Sequence, residues 1–269
     1  ASLPGKLGHE AAGFVEAIGQ GVSNVKEGDR VVYVVASPGC YSTARIVSAD
    51  VLLKIPPDLD FELAAGMLLK GMTVSYLFKR VANLQPFHKV LFHAAAGGTG
   101  LIAMQWARMM DVEITGTVSS EEKKELAKNY GAAHVINYAR ENFVEQIRDI
   151  TQGRGVDIVF DSVGASTFYQ SIQSLKKYGL MVSYGNASGK VSAFDLGLLS
   201  GHLFITRPTL WSYVATRKEL VVTFGELLQL VMLNKIRIPI YQKKPLQDVV
   251  ALHKLMEERR TTGCSILTV

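Results

Sequence analysis

The stretch Lys89-Val-Leu-Phe-His-Ala-Ala-Ala-Gly-Gly-Thr-Gly-Leu101 decides the fold. Lys89 to Ala94 reads as a short apolar strand, and Leu101 to Ala107 as the helix that follows it across a turn of small residues. Reading outward, Glu113 to Val118 is a second strand and Glu121 to Tyr130 a polar-faced helix closed by Gly131. Further strands are expected at Ala133 to Asn137, Val156 to Asp161 and Leu180 to Tyr184, with helices from Asn142 to Thr151 and from Ser166 to Lys177. Alternation of this kind predicts an α/β fold, a doubly wound parallel sheet of the Rossmann type.

The flanks read differently. Gly8 to Ile18, Gly28 to Val35 and Cys40 to Val47 are expected as short strands between glycine-rich turns. A helical stretch is expected from Phe61 to Val81, helices from Lys218 to Leu233 and from Leu246 to Arg259, and a terminal strand from Cys264 to Val269. The nucleotide-type domain, residues 71–205, is thus expected as an insert between the two parts of a second domain, 1–70 and 206–269.

Of the 269 residues, 48% are apolar and 20% charged, enough for two modest buried cores. No apolar run is long enough to cross a bilayer, and Ala1 to Lys6 carries no apolar leader core, so a cytoplasmic protein is expected. Cys40 and Cys264 lack partners at metal-ligand spacing and read as free thiols. The net charge of +5 is scattered in short pairs, which suits an anionic cofactor as well as a nucleic acid, and no RNA-binding motif accompanies it.

Ala95, Gly97 and Gly100 occupy the fingerprint positions of a dinucleotide turn, with alanine replacing the first glycine. Small side chains let the backbone approach a pyrophosphate, and the helix start supplies N–H donors and partial positive charge. After the second strand no acid stands where NAD-preferring enzymes place one. Ser119 and Ser120 offer hydroxyls, and Lys123 one turn later offers a cation to a 2′-phosphate, which favours NADPH. The same residues also read as an N-capping serine and a solvated helix face.

Several segments together resemble the quinone oxidoreductase (zeta-crystallin-like) family of the zinc-free medium-chain dehydrogenase/reductase superfamily. They are Leu69 to Leu77, Phe92 to Leu101, Val135 to Tyr138, Asp161 to Gly164, Ser183 to Gly189 and Thr206 to Pro208. The resemblance implies a GroES-like β-rich catalytic domain around the Rossmann domain, with Thr73 near the nicotinamide and Gly97, Gly98 and Thr99 at the pyrophosphate. It also implies Lys123, Tyr138 and Arg259 around the adenosine 2′-phosphate and adenine. Read without the resemblance, Thr73 is a helix residue bonding its own backbone, Tyr138 a rim aromatic and Arg259 a surface cation. Ser162, Tyr184 and Gly185 follow strands, at the carboxyl edge where an open parallel sheet binds ligands.

Gly8-His9-Glu10-Ala-Ala-Gly13 resembles the zinc alcohol dehydrogenase branch, but Ala65 to Gly71 has no cysteine where that branch supplies a second thiolate, so no metal is expected. Compared with the family the sequence begins late, so the catalytic domain is expected to be N-terminally incomplete. The implied activity is NADPH-dependent quinone reduction by hydride or electron transfer in an interdomain cleft. The alternatives are an enone or alkenal reductase, or a crystallin-like nucleotide- or RNA-binding protein with little catalysis. No catalytic residue is assigned, and Asp161 reads as a loop brace. A homodimer pairing through Phe204-Ile-Thr206 is expected.

Overall fold

The computed structural model describes residues 5–269; residues 1–4, and with them most of the leading stretch judged above, lie outside the described residues. The chain divides into two compact units, residues 76–209 and a discontinuous unit of the residues up to 75 with 210–269. Among the described residues no helix is long and apolar enough to cross a membrane.

Unit 76–209 is built on β4 (Lys89–Phe92), β5 (Glu113–Val118), β6 (His134–Asn137), β7 (Val156–Asp161), β8 (Leu175–Ser183) and β9 (Phe204–Thr206). All six are parallel, in the order β6-β5-β4-β7-β8-β9. From β4 the chain winds outward through β5 and β6, then returns to the other side of β4 for β7, β8 and β9. The connecting helices are α2 (Gly98–Met109), α3 (Glu121–Asn129), α4 (Phe143–Ile150) and α5 (Phe168–Gln173). Two of them start on a capping side chain: Ser120 accepts from Lys123 N–H at α3 and Asn142 from Val144 N–H at α4, satisfying first-turn donors. The α4 and α5 side of the sheet packs Leu91, Val159 and Met181 against Phe143, Ile147, Phe168 and Ile172. Burying each such side chain contributes about 1.5–3 kcal/mol. Phe78, Phe92 and Phe160 are fully buried, with Phe78 and Phe160 centroids 5.4 Å apart.

The discontinuous unit carries the antiparallel strands β1 (Glu10–Phe14), β2 (Arg30–Val34) and β3 (Leu53–Lys54), then α1 (Phe61–Tyr76), which runs into a π turn at Leu77–Val81. After residue 209 it continues with α6 (Arg217–Met232), the parallel pair β10 (Ile240–Pro245) and β11 (Cys264–Thr268), and α7 (Val249–Glu257). A Thr216/Glu219 capping box starts α6. Gly71 of α1 faces Leu227 of α6 so closely that a Cβ there would lie 2.5 Å from the leucine.

Two local expectations are corrected. Cys40 to Val47 is not a strand: Cys40 and Tyr41 N–H bond back to Gly8 and Leu7, which bends the segment into a loop, and Ile46 is fully exposed. The helix expected from Ser166 to Lys177 ends at Gln173, because Leu175 enters β8, where Lys176 meets Asp157 of β7. Strands β3 and β10 had no reading; β10 is polar and ends in proline, so its pairing with β11 is long-range information.

Candidate functional site

Because the winding direction reverses at β4, the crevice for a ligand in an open parallel sheet lies at the carboxyl ends of β4 and β7. Two loops meet that edge: the small-residue turn after β4 and Ser162 to Gly164 after β7.

The turn is fixed by contacts that only small residues permit. Gly97 is the N-cap of α2, and Leu101 N–H makes the first helical bond to Gly97 O, leaving the N–H groups of Gly98, Thr99 and Gly100 without acceptors inside the helix. That is an anion-binding arrangement. A Cβ on Gly100 would lie 2.4 Å from Ala94 O and 2.5 Å from Ala95 O, whereas on Gly97 the nearest atom is Ala94 O at 3.3 Å. Gly100 therefore serves packing, and Gly97 leaves an open face. Ala95, standing where the fingerprint has glycine, is fully buried against β5, and a Cβ on Gly116 would lie 2.5 Å from the Ala95 methyl. The alanine is accommodated because the facing strand carries glycine, a partner that sequence spacing did not reveal.

Ser119 and Ser120 close β5, with Ser120 capping α3 as its structural reading predicted and Lys123 half-buried in the first turn. A hydrogen bond from Ser120 holds the Glu122 carboxyl below its ordinary range. Glu121 Oε1 accepts from Asn137 Nδ2 at 2.6 Å, and Tyr138, just after β6, is exposed. Gly185 sits against Ser162, where a Cβ would meet Ser162 O at 2.4 Å, and the Tyr184 ring lies 6.0 Å from Phe92. Burial pushes the Tyr184 hydroxyl pKa up, with the Ser162 hydrogen bond opposing it. Thus Ala95 to Gly100, Ser119, Ser120, Lys123, Tyr138, Ser162, Tyr184 and Gly185 share the carboxyl edge of one sheet. Thr73 and Arg259 belong to the other unit: Thr73 Oγ1 donates to Leu69 O within α1, and Arg259 follows α7.

One polar residue was missed. Arg207 Nη1 donates to Ser183 O at 2.8 Å and Gly185 O at 2.9 Å, clamping the end of β8; its position in Thr206-Arg-Pro208 was the available signal. Asp161 is a brace as expected, and its reach extends to α5. Its Oδ1 accepts from Val163 and Gly164 N–H, and its Oδ2 from the Thr167 and Ser171 hydroxyls.

In the discontinuous unit, Glu10 Oε2 accepts from Leu69 N–H at 2.8 Å and Oε1 from Lys70 Nζ at 2.5 Å, both side chains being mostly buried. Burial alone would lower the Lys70 pKa, yet the nearby Glu10, Cys264 and Tyr41 raise it on balance.

The alcohol dehydrogenase GroES-like domain family matches residues 1–57, and the zinc-binding dehydrogenase family matches residues 98–225. Quinone oxidoreductase 1 of Escherichia coli (strain K12) is 44% identical over 270 residues, which is 99% of this chain and 83% of that protein. The 2-haloacrylate reductase of a Burkholderia species is 41% identical over 267 residues, 97% of this chain and 80% of that protein. The crystal structure of Escherichia coli quinone oxidoreductase complexed with NADPH matches with a TM-score of 0.97 at 44% identity, covering 100% of this chain and 83% of that one.

The second family's name raises zinc, and the residues present do not fit it. Glu10 is committed to Lys70 and Leu69, and His9 Nδ1 to Val35 O. Cys40 Sγ accepts from Arg45, and Cys264 Sγ donates to Gly66 O, with burial pushing its thiol up to about 11. Among the described residues no three His, Cys, Asp or Glu side chains converge as a ligand set.

Proposed function

The chain belongs to the quinone oxidoreductase family of the medium-chain dehydrogenases, and from that premise we propose that it uses NADPH to reduce quinones. The observation that carries the reading is the small-residue turn leading into α2 at the winding reversal of the sheet. There the N–H groups of Gly98, Thr99 and Gly100 receive the pyrophosphate, with Ala95 and Gly97 keeping the approach clear. Ser119, Ser120, Lys123 and Tyr138 surround the adenosine 2′-phosphate, and Ser162, Tyr184 and Gly185 line the strand ends beyond. Thr73 and Arg259 join this set on the family resemblance alone.

Bound NADPH supplies the reducing equivalents. The chain orients the rings, and donors or solvent protons meet the negative charge that develops on the quinone oxygens. No covalent nucleophile is required. A second reading, reduction of α,β-unsaturated carbonyl compounds, is favoured by the similarity to 2-haloacrylate reductase.

The test is a fluorescence titration with NADPH and NADH, followed by oxidation with 1,2- and 1,4-quinones and, separately, with 2-chloroacrylate. Preferential NADPH binding, weakened about tenfold by Lys123→Ala, with quinone-dependent turnover supports the reading. Turnover with 2-chloroacrylate alone selects the second reading, and absence of nucleotide binding overturns both.

The same reading includes a homodimer: β9 is the outermost strand of its sheet, with Phe204 61% exposed. A monomeric mass by light scattering at micromolar concentration counts against it. Two free thiols support a reducing compartment, the cytoplasm.

A further inference from the structure

His93, the residue immediately after β4, is almost fully buried. Its Nδ1 lies 2.9 Å from Thr117 Oγ1 on β5 and its Nε2 2.9 Å from Ser171 Oγ on α5, with the Phe143 ring edge-on at 5.0 Å. Ser171 in turn reaches Asp161 Oδ2 at 3.0 Å.

The proton positions in this chain follow from one end. The Asp161 carboxylate, with donors converging on both oxygens, only accepts, so Ser171 spends its single proton on Asp161. Ser171 Oγ must then accept from His93, which puts the imidazole proton on Nε2. Nδ1 is left bare and accepts from the Thr117 hydroxyl. The hydrogen bonds therefore run one way, from Thr117 to His93 to Ser171 to Asp161. Backbone bonds bind the same segments: His93 N–H donates to Phe160 O and Ala95 N–H to Thr117 O.

We propose that His93 is a positioning residue: held as the Nε2–H tautomer, it ties the turn after β4, the end of β5 and the loop after β7 into one body and so sets the spacing of the segments that receive the dinucleotide. The proposal rests on reading that sheet edge as the NADPH site. Asp161, at the far end of the chain, is the charged group facing His93, and its charge opposes the effect of burial on the imidazole. Burial pushes the His93 pKa down, in keeping with a neutral ring.

The experiment has two arms on the full chain. In the cofactor-free protein, long-range nitrogen–proton NMR is expected to show His93 with Nε2 protonated and Nδ1 bare, unchanged from pH 6 to 9. A cationic ring or the Nδ1–H tautomer overturns the proposal. Amide exchange at Ala95 and Gly164 is expected to accelerate about tenfold in Ser171→Ala and to stay near wild type in His93→Gln, whose amide offers a donor and an acceptor in similar places. Equal exchange in all three proteins also overturns it. In the second arm, Ser171→Ala is expected to raise the NADPH dissociation constant about tenfold with kcat at saturation held within about twofold, while His93→Gln keeps the wild-type affinity. Unchanged affinity in Ser171→Ala overturns the proposal. A wild-type chain that binds no NADPH removes the functional reading instead, and the first arm still decides the role of His93.

Discussion

Each unit buries a carboxylate, and each satisfies it differently. Asp161, completely buried, is held by two backbone N–H groups and two hydroxyls; Glu10, mostly buried, is held by one N–H and the Lys70 ammonium. A carboxylate neutralised by many neutral donors organises the loops that supply them. A carboxylate neutralised by a cation depends on a single partner, and the pair can be exchanged as a unit.

The comparison breaks first at Asp161. Asp161→Ala removes the shared acceptor of two N–H groups and two hydroxyls and is expected to lower unfolding stability by about 3–4 kcal/mol in urea titration, with no single second substitution restoring it. Lys70→Met is expected to cost about 3 kcal/mol, because Glu10 loses its counter-charge. Here the partner change should rescue: Glu10→Gln keeps an acceptor for Leu69 N–H, so the double variant is expected about 2 kcal/mol more stable than the sum of the singles. Additive singles would show that the ion pair is not the coupling element.

The two sites should also fail at opposite ends of the pH scale. Lys70 has a folded pKa above the ordinary 10.5, so its contribution is complete below that value and disappears as pH rises through the higher folded value. The stability gap between wild type and Lys70→Met is therefore expected to close above about pH 10.5. His93 has a folded pKa below the ordinary 6.5, so below that pH the unfolded chain binds a proton that the folded chain does not. Relative to His93→Gln, wild type is expected to lose stability as pH falls through about 6.5, up to about 1.4 kcal/mol per unit. A parallel pair of curves would refute this. The smallest effect is expected at Glu141, whose pKa is lowered by Asn137 N–H and Lys124. Its contribution is present above the ordinary 4.5 and lost as pH falls below it, so Glu141→Gln should differ from wild type by under about 1 kcal/mol at pH 7 and by less in acid.

How far the sequence carried the reading depended on the range of the interaction. Glu113–Val118 and Val156–Asp161 were legible because strand length and apolar content are local, and the turn because small residues between a strand and a helix are local too. The strand expected at Cys40 to Val47 failed because distant carbonyls of Leu7 and Gly8 claim its first N–H groups. Lys176-Lys177 looked like a helix end until Asp157 drew Lys176 onto the sheet. At the candidate site the contiguous residues were readable, whereas Gly116, Arg207, Thr117 and Ser171 matter only through partners far along the chain. His93 stood inside the deciding stretch, yet its role depends on Ser171, 78 positions later.

The fit of Ala95 against Gly116 constrains the order in which this turn can change over generations. Exchanging the two residue types in one lineage takes two substitutions, and the two orders are not equivalent. Gly116→Ala first drives a methyl to 2.5 Å from another methyl inside a closed sheet. Ala95→Gly first leaves a gap of one methyl, at about 1 kcal/mol. Descent through the glycine–glycine intermediate is the open route, so lineages that carry the usual first glycine are free to vary at the β5 position, while this one is not.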